Sequence, residues 1–246
     1  MNASVTDYRH SHKAADKPAS YNAQFSERNN VKALYWKLEQ QVLDSVLPPA
    51  EQANRSLLDF ACGTGRVLAF LQQRFRRSVG LDISEAMLDE AQQHVDAEFL
   101  VGDVTNGEIQ MDHRPDVITA FRFFLNAQPS LRTEVLSWMH QNLADDGTLV
   151  CNFHLNPHSL VGMSMNTMKR LRGWKTTPML SVREAKDLLE ANNFRVKRVI
   201  GYGFLYYGQT RIWAPMSILL AFESLLARCG AFPSVARNFL VVAEKQ

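Results

Sequence analysis

The chain has 246 residues, 46% hydrophobic and 21% charged, which excludes a disordered or fibrous protein and allows a sizeable core in one large domain or two small ones. Three cysteines, Cys62, Cys151 and Cys229, cannot all pair and lie far apart, which argues against a disulfide framework and for a reducing, cytoplasmic setting. The net charge is only +2, but residues 1–150 hold 14 basic and 20 acidic side chains and residues 151–246 hold 13 and 5, so the C-terminal part presents a basic face suited to an anionic substrate, partner or membrane surface.

Residues 1–20 show no apolar periodicity and no signal-peptide core, and are read as a disordered or loosely attached lead-in. Residues 21–246 are read as a single domain. Val31, Leu34, Tyr35, Leu38, Val42 and Val46 fit one helix face, which Pro48 and Pro49 end. Strand–helix units then alternate. The pattern predicts strands at Ser56–Phe60, Ser78–Leu81, Glu98–Val101, Asp116–Phe121 and Thr148–Phe153. Helices are expected at Arg66–Phe75, Ser84–Val95 with Ser84 as N-cap, and Ser130–Leu143. Ser181 and Glu184 have capping-box spacing at the head of a helix running to Ala191. Arg195–Tyr202 and Asn238–Ala243 complete the strands. Such alternation predicts an α/β, doubly wound, mostly parallel sheet. Two stretches, about 154–180 and 203–237, break it and are read as insertions that cap a substrate. No stretch reaches about 18 uncharged apolar residues, so no membrane span is expected.

The informative run is Leu57-Leu58-Asp59-Phe60-Ala61-Cys62-Gly63-Thr64-Gly65-Arg66, a strand that turns through glycines into a helix. Such a turn lets the backbone approach a ligand at the carboxyl edge of a sheet. Asp82 closes the next strand at a distance suited to ribose hydroxyls, which a carboxylate accepts in pairs. Asp103, in Gly102-Asp103-Val104, follows the third strand and can accept from an exocyclic amine. A dinucleotide fingerprint is a rival, but Leu68 stands where its third position needs a small residue.

Together with Gly80-Leu81-Asp82-Ile83-Ser84 and Leu143-Ala144-Asp145-Asp146-Gly147-Thr148, these runs resemble the successive motifs of class I S-adenosylmethionine-dependent methyltransferases over roughly residues 55–155. The resemblance implies a seven-stranded sheet with its last strand antiparallel and S-adenosylmethionine as cofactor. It implies that Gly63, Gly65 and Ala61 line the methionyl end, with Asp59 orienting the loop or reaching the amino group. Asp82 would hold the ribose, Ile83 would pack on adenine, Asp103 and Val104 would face the adenine edge, and Phe121 would lie beside the cofactor. Tyr21, with Arg28 as second choice, is the candidate N-terminal cap on the methionyl group.

O-methylation of a hydroxyl calls for a base, and His154 at the carboxyl end of strand five is the first choice, His158 the second. Their i,i+4 spacing is not read as a metal site, since Pro157 intervenes and no carboxylate adjoins. Phe121-Arg122-Phe123-Phe124 lacks the Asn/Asp-Pro-Pro-aromatic motif of amino-directed DNA methyltransferases. The Pro-Cys motif of cytosine enzymes and the paired-glutamate loop of protein arginine methyltransferases are missing too. The acceptor is therefore expected to be a small or medium organic molecule, not a nucleic acid, with Arg122, Tyr206, Tyr207 and Trp213 as candidate contacts. The basic run 169–175 and the apolar run 212–227 suggest an anionic, glycan- or lipid-linked acceptor, with a lid, a dimer contact or a peripheral membrane contact as readings of the latter. A catalytically silent cofactor-binding module and an N- or C-methyltransferase are the alternatives.

Overall fold

A computed structural model describes Phe25 and residues 30–175, 179–208, 210–228 and 232–246. Residues 1–20, Tyr21, Arg28 and Cys229 lie outside the described residues. Seven strands form one sheet in the order β3-β2-β1-β4-β5-β7-β6. They are β1 Ser56–Phe60, β2 Arg77–Asp82, β3 Glu98–Val101, β4 Val117–Ala120, β5 Thr148–His154, β6 Phe194–Tyr202 and β7 Asn238–Lys245. β1 pairs parallel with β2 and β4, and β4 with β5. β7 is antiparallel to both β5 and β6, so the last strand runs against the rest.

The central strands are apolar on both sides because both sheet faces are covered by helices. Successive side chains of a strand point to opposite faces. Leu58, Ile118 and Leu149 accordingly enter a first core and their neighbours Leu57, Val117 and Val150 a second. The helices are α1 Val31–Val46, α2 Pro49–Gln52, α3 Arg66–Leu71, α4 Glu85–Gln92, α5 Pro129–Asn142, α6 Leu160–Leu171, α7 Val182–Glu190 and α8 Met216–Arg228. α1 lies on the second core with its predicted stripe inward, and the stripe also carries Glu39, buried at 1% exposure. The Ser181–Glu184 capping box is formed in both directions. Ser84 is the N-cap of α4, but its side chain makes no capping bond; the Asp82 carboxylate accepts its backbone N–H instead.

α6 lies within residues 154–180 and α8 within residues 203–237. Strand order reverses between β1 and β4, which opens a crevice above their carboxyl ends, the ligand position of open α/β sheets.

Candidate active site

A cavity of about 470 Å³ sits over that crevice. The carboxyl ends of five strands line it: Asp59 to Gly63 at the end of β1, Asp82 to Ser84 at the end of β2, Gly102 to Val104 after β3, Phe121 to Phe123 after β4, and His154 on β5. Three of these ends carry a non-glycine residue in the left-handed region, Ala61 (φ 53), Arg122 (φ 61) and Leu155 (φ 62). Such backbone costs on the order of 1–3 kcal/mol per residue and gathers at ligand sites, where the fold holds it in place.

Asp59 is buried beneath the glycine turn. Its Oδ1 accepts from the Thr119 hydroxyl at 2.6 Å, and its Oδ2 has no hydrogen-bond partner among the described residues. Burial raises its pKa to about 7, against the lowering effect of Thr119 and Arg66. Asp82 holds two backbone donors. Its Oδ2 accepts from Gly63 N–H at 2.7 Å and its Oδ1 from Ser84 N–H at 2.9 Å, so the carboxylate that ends β2 also pins the loop that follows β1. Asp103 closes an Asx turn, its Oδ1 accepting from the backbone and hydroxyl of Thr105. Ile83, Asp103, Val104 and Phe121 all line the cavity.

The two glycines part company. A Cβ at Gly63 (φ +56) would meet nothing within 4 Å and would project into open space. Gly65 (φ +74) does not line the cavity; a Cβ there would come within 2.9 Å of Val95 and 3.1 Å of Ala91, so this glycine lets α3 pack on the α4 end. Cys62 lines the cavity as a free thiol. Burial, with Asp59 and Asp82 nearby, pushes its pKa well above the ordinary 9.0, which favours the protonated thiol.

The opposite wall is apolar and cationic. Phe123, Leu131 and Val135 line it together with Arg66, Arg122 and His154. Arg66 and Arg122 both reach Glu39, at 3.0 and 3.3 Å, and both guanidinium groups lie over the ring of Phe25. Burial alone would raise the Glu39 pKa, but Arg122 and Arg66 hold it below the usual carboxylate range. Tyr202 donates to Glu39 at 3.2 Å and accepts from Asn152 of β5. Burial drives the His154 pKa down to about 3, with Arg122 and Arg237 adding to the effect. Its Nδ1 is buried with no hydrogen-bond partner among the described residues.

Sequence reasoning missed Glu39, Arg66 and Met87, the last also on the cavity wall. For Glu39 a signal existed, since an acid at position 39 falls inside the apolar stripe of Tyr35, Leu38 and Val42. Other candidates stand elsewhere. His158 is exposed and lies outside the cavity. Tyr207 is fully buried against Tyr35 and Glu223 in the second core. Tyr206 and Trp213 are exposed and do not line the cavity, with Trp213 Nε1 donating to the Tyr206 carbonyl at 2.9 Å. Arg122 does line it.

Residues 57–147 match a family model described as a methyltransferase domain. The chain thus contains a methyltransferase domain over these residues. No curated protein matches it at the sequence level. The fold is shared with solved structures at low identity. Magnesium protoporphyrin IX methyltransferase of Synechocystis, solved with bound SAH, aligns over 98% of this chain and 100% of its own at 14% identity and a TM-score of 0.66. An S-adenosylmethionine-dependent methyltransferase of Thermotoga maritima aligns over 92% and 95% at 16% identity and 0.63. One from Archaeoglobus fulgidus aligns over 85% and 94% at 17% identity and 0.58. The cavity suits the cofactor of this family. Gly63 leaves space for a backbone-hugging ligand, the unpartnered Asp59 oxygen suits a cationic donor, and Asp82 and Asp103 supply acceptors for hydroxyls and an amine.

Proposed function

We propose that this methyltransferase methylates an oxygen of a small or medium organic acceptor that carries an anionic group, free or on a glycan or lipid carrier. The observation that carries this reading is the two-sided cavity, with carboxylates at the ends of β1, β2 and β3 and with Arg122, His154 and an apolar wall toward β4 and β5. S-adenosylmethionine, held by Asp59, Gly63, Asp82, Ile83 and Asp103, supplies a methyl group already activated on a sulfonium. The chain's own work is then alignment for in-line transfer and exclusion of water, which Phe123, Leu131 and Val135 provide.

Arg122 supplies the charge for the acceptor. Arg122 lines the cavity and reaches Glu39 at 3.3 Å, and a guanidinium takes an anionic group by charge-assisted hydrogen bonds. His154 stays neutral across physiological pH and accepts a hydrogen bond from the acceptor hydroxyl. Its imidazolium is disfavoured by burial and by Arg122 and Arg237, so an acceptor oxygen that is anionic or readily ionised fits better than an alcohol that needs a strong base.

The test uses tritiated-methyl S-adenosylmethionine with paired acceptors, aromatic hydroxy acids beside their amides. Label is expected on the acids, and Arg122→Gln is expected to raise KM for them by about tenfold or more, the worth of one charge-assisted hydrogen bond. Equal transfer to the neutral partners would overturn the anionic part of the reading.

A further inference from the structure

The two inserted helices carry apolar side chains on their outer surfaces. In α6 only Gly162 is buried, and Leu160, Met163, Met168 and Leu171 are exposed, Leu171 by 84%. α8 is inverted. Ile218, Phe222 and Leu225 form a solvent-facing stripe at helical spacing, while the carboxylate Glu223 points inward at 3% exposure. The backbone N–H groups of Gly203 and Phe204 and the Tyr207 hydroxyl hold it there. A helix whose outer side meets only water places these residue types the other way round. An exposed apolar surface of this kind marks a contact.

Both helices leave the same edge of the sheet. β5 and β6 flank β7 and are both antiparallel to it, so their carboxyl ends lie together. The roots of the two insertions are stitched there. Asn156 Nδ2 donates to the carbonyls of Ser234 and Ala236 at 2.8 and 3.0 Å, and Arg237 N–H to the Gly203 carbonyl at 3.1 Å.

Charge identifies the partner. Glu184, Asp187 and Glu190 sit on α7, while residues 147–183 contain no Asp or Glu and residues 191–246 contain two. One is the buried Glu223; the other, Glu244, pairs with Arg195 and Lys197 at the opposite edge of the sheet. Arg170, Arg172 and Lys175 are exposed at the end of α6, and Arg211 ahead of α8. Trp174 and Trp213 are exposed beside them, amphipathic rings suited to a headgroup layer. The outward apolar groups of α6 and α8 and the cations beside them complement an anionic bilayer.

We propose that this face docks on the surface of an anionic membrane, with α6 and α8 lying in the interface. No described helix is long and apolar enough to cross a membrane. The inference rests on the surface alone and holds whatever the acceptor is. Docking sets the cavity, whose wall includes His154 at the same sheet edge, close to the lipid.

The test is flotation of the full chain with vesicles of phosphatidylcholine alone and of phosphatidylcholine with about a third phosphatidylglycerol. Flotation is expected with the anionic vesicles only, and it is expected to fall by about tenfold or more between 0.1 and 0.5 M salt as surface charge is screened. Ile218→Glu/Phe222→Glu and Arg170→Glu/Arg172→Glu should each lower partitioning by about tenfold or more while leaving the unfolding midpoint and S-adenosylmethionine binding unchanged. A chain that stays out of the anionic vesicle fraction would overturn the proposal. So would light scattering that shows a dimer made monomeric by Ile218→Glu/Phe222→Glu, because a second copy would then cover the face.

Discussion

Asp59→Asn isolates the electrostatic cost built into the cofactor site. The buried carboxyl titrates at about 7 instead of 3.8. Between those values the folded chain holds a proton that the unfolded chain has released, so stability falls as pH rises and levels off above 7. A shift of about 3 units corresponds to roughly 4 kcal/mol, of which about 2.5 kcal/mol falls between pH 5 and pH 8. Asparagine keeps the acceptor for the Thr119 hydroxyl but does not titrate. Its amide replaces an oxygen with no partner, a cost equal at both pH values, so the pH difference is free of it. Urea unfolding at pH 5, 6, 7 and 8 should therefore show the parent losing about 2.5 kcal/mol that Asp59→Asn retains. Calorimetry should show the reverse for the ligand: parental affinity for S-adenosylmethionine rises toward pH 8 as the carboxylate ionises, and that of Asp59→Asn stays weak and flat. Parallel stability curves for the two proteins would refute the argument.

Glu39→Gln leaves two arginines without their carboxylate and should destabilise the fold by about 3–5 kcal/mol, read from the urea midpoint. Asp82→Ala removes the acceptor for Gly63 and Ser84 N–H groups and should weaken S-adenosylmethionine binding by about 100-fold in calorimetry, with the fold retained by circular dichroism. The rate with a saturating acid acceptor should show no inflection from His154 between pH 5 and pH 8, because that imidazole is already neutral there; an inflection near 6.5 that His154→Gln abolishes would contradict the buried, low-pKa imidazole.

Glu39 and Gly65 show where reading the sequence stops. Strand positions were legible because the alternation of apolar runs and glycine turns is local, and β1 and β3 begin and end where the pattern places them. The acids at strand ends were legible because a parallel sheet brings every carboxyl end to one edge. Gly65 belongs to the same turn as Gly63, yet its task is helix packing, which depends on Ala91 and Val95 some 26 to 30 positions away. Glu39 was visible as an acid in an apolar stripe, but its partners come from α3, β6 and the end of β4, brought together only by folding.

The same division holds for the aromatics of the second insertion. Composition marks Tyr206, Tyr207 and Trp213 as one cluster, while packing separates them into a core ring and two surface rings. The amino-acid order by itself determined the sheet, the glycine turn and the acids at the strand ends, because periodicity and turn chemistry act over a few residues. Only the tertiary structure decided which side chains share a cavity, which charges are neutralised and which apolar face is left uncovered, because desolvation and ion pairing depend on neighbours distant in the chain.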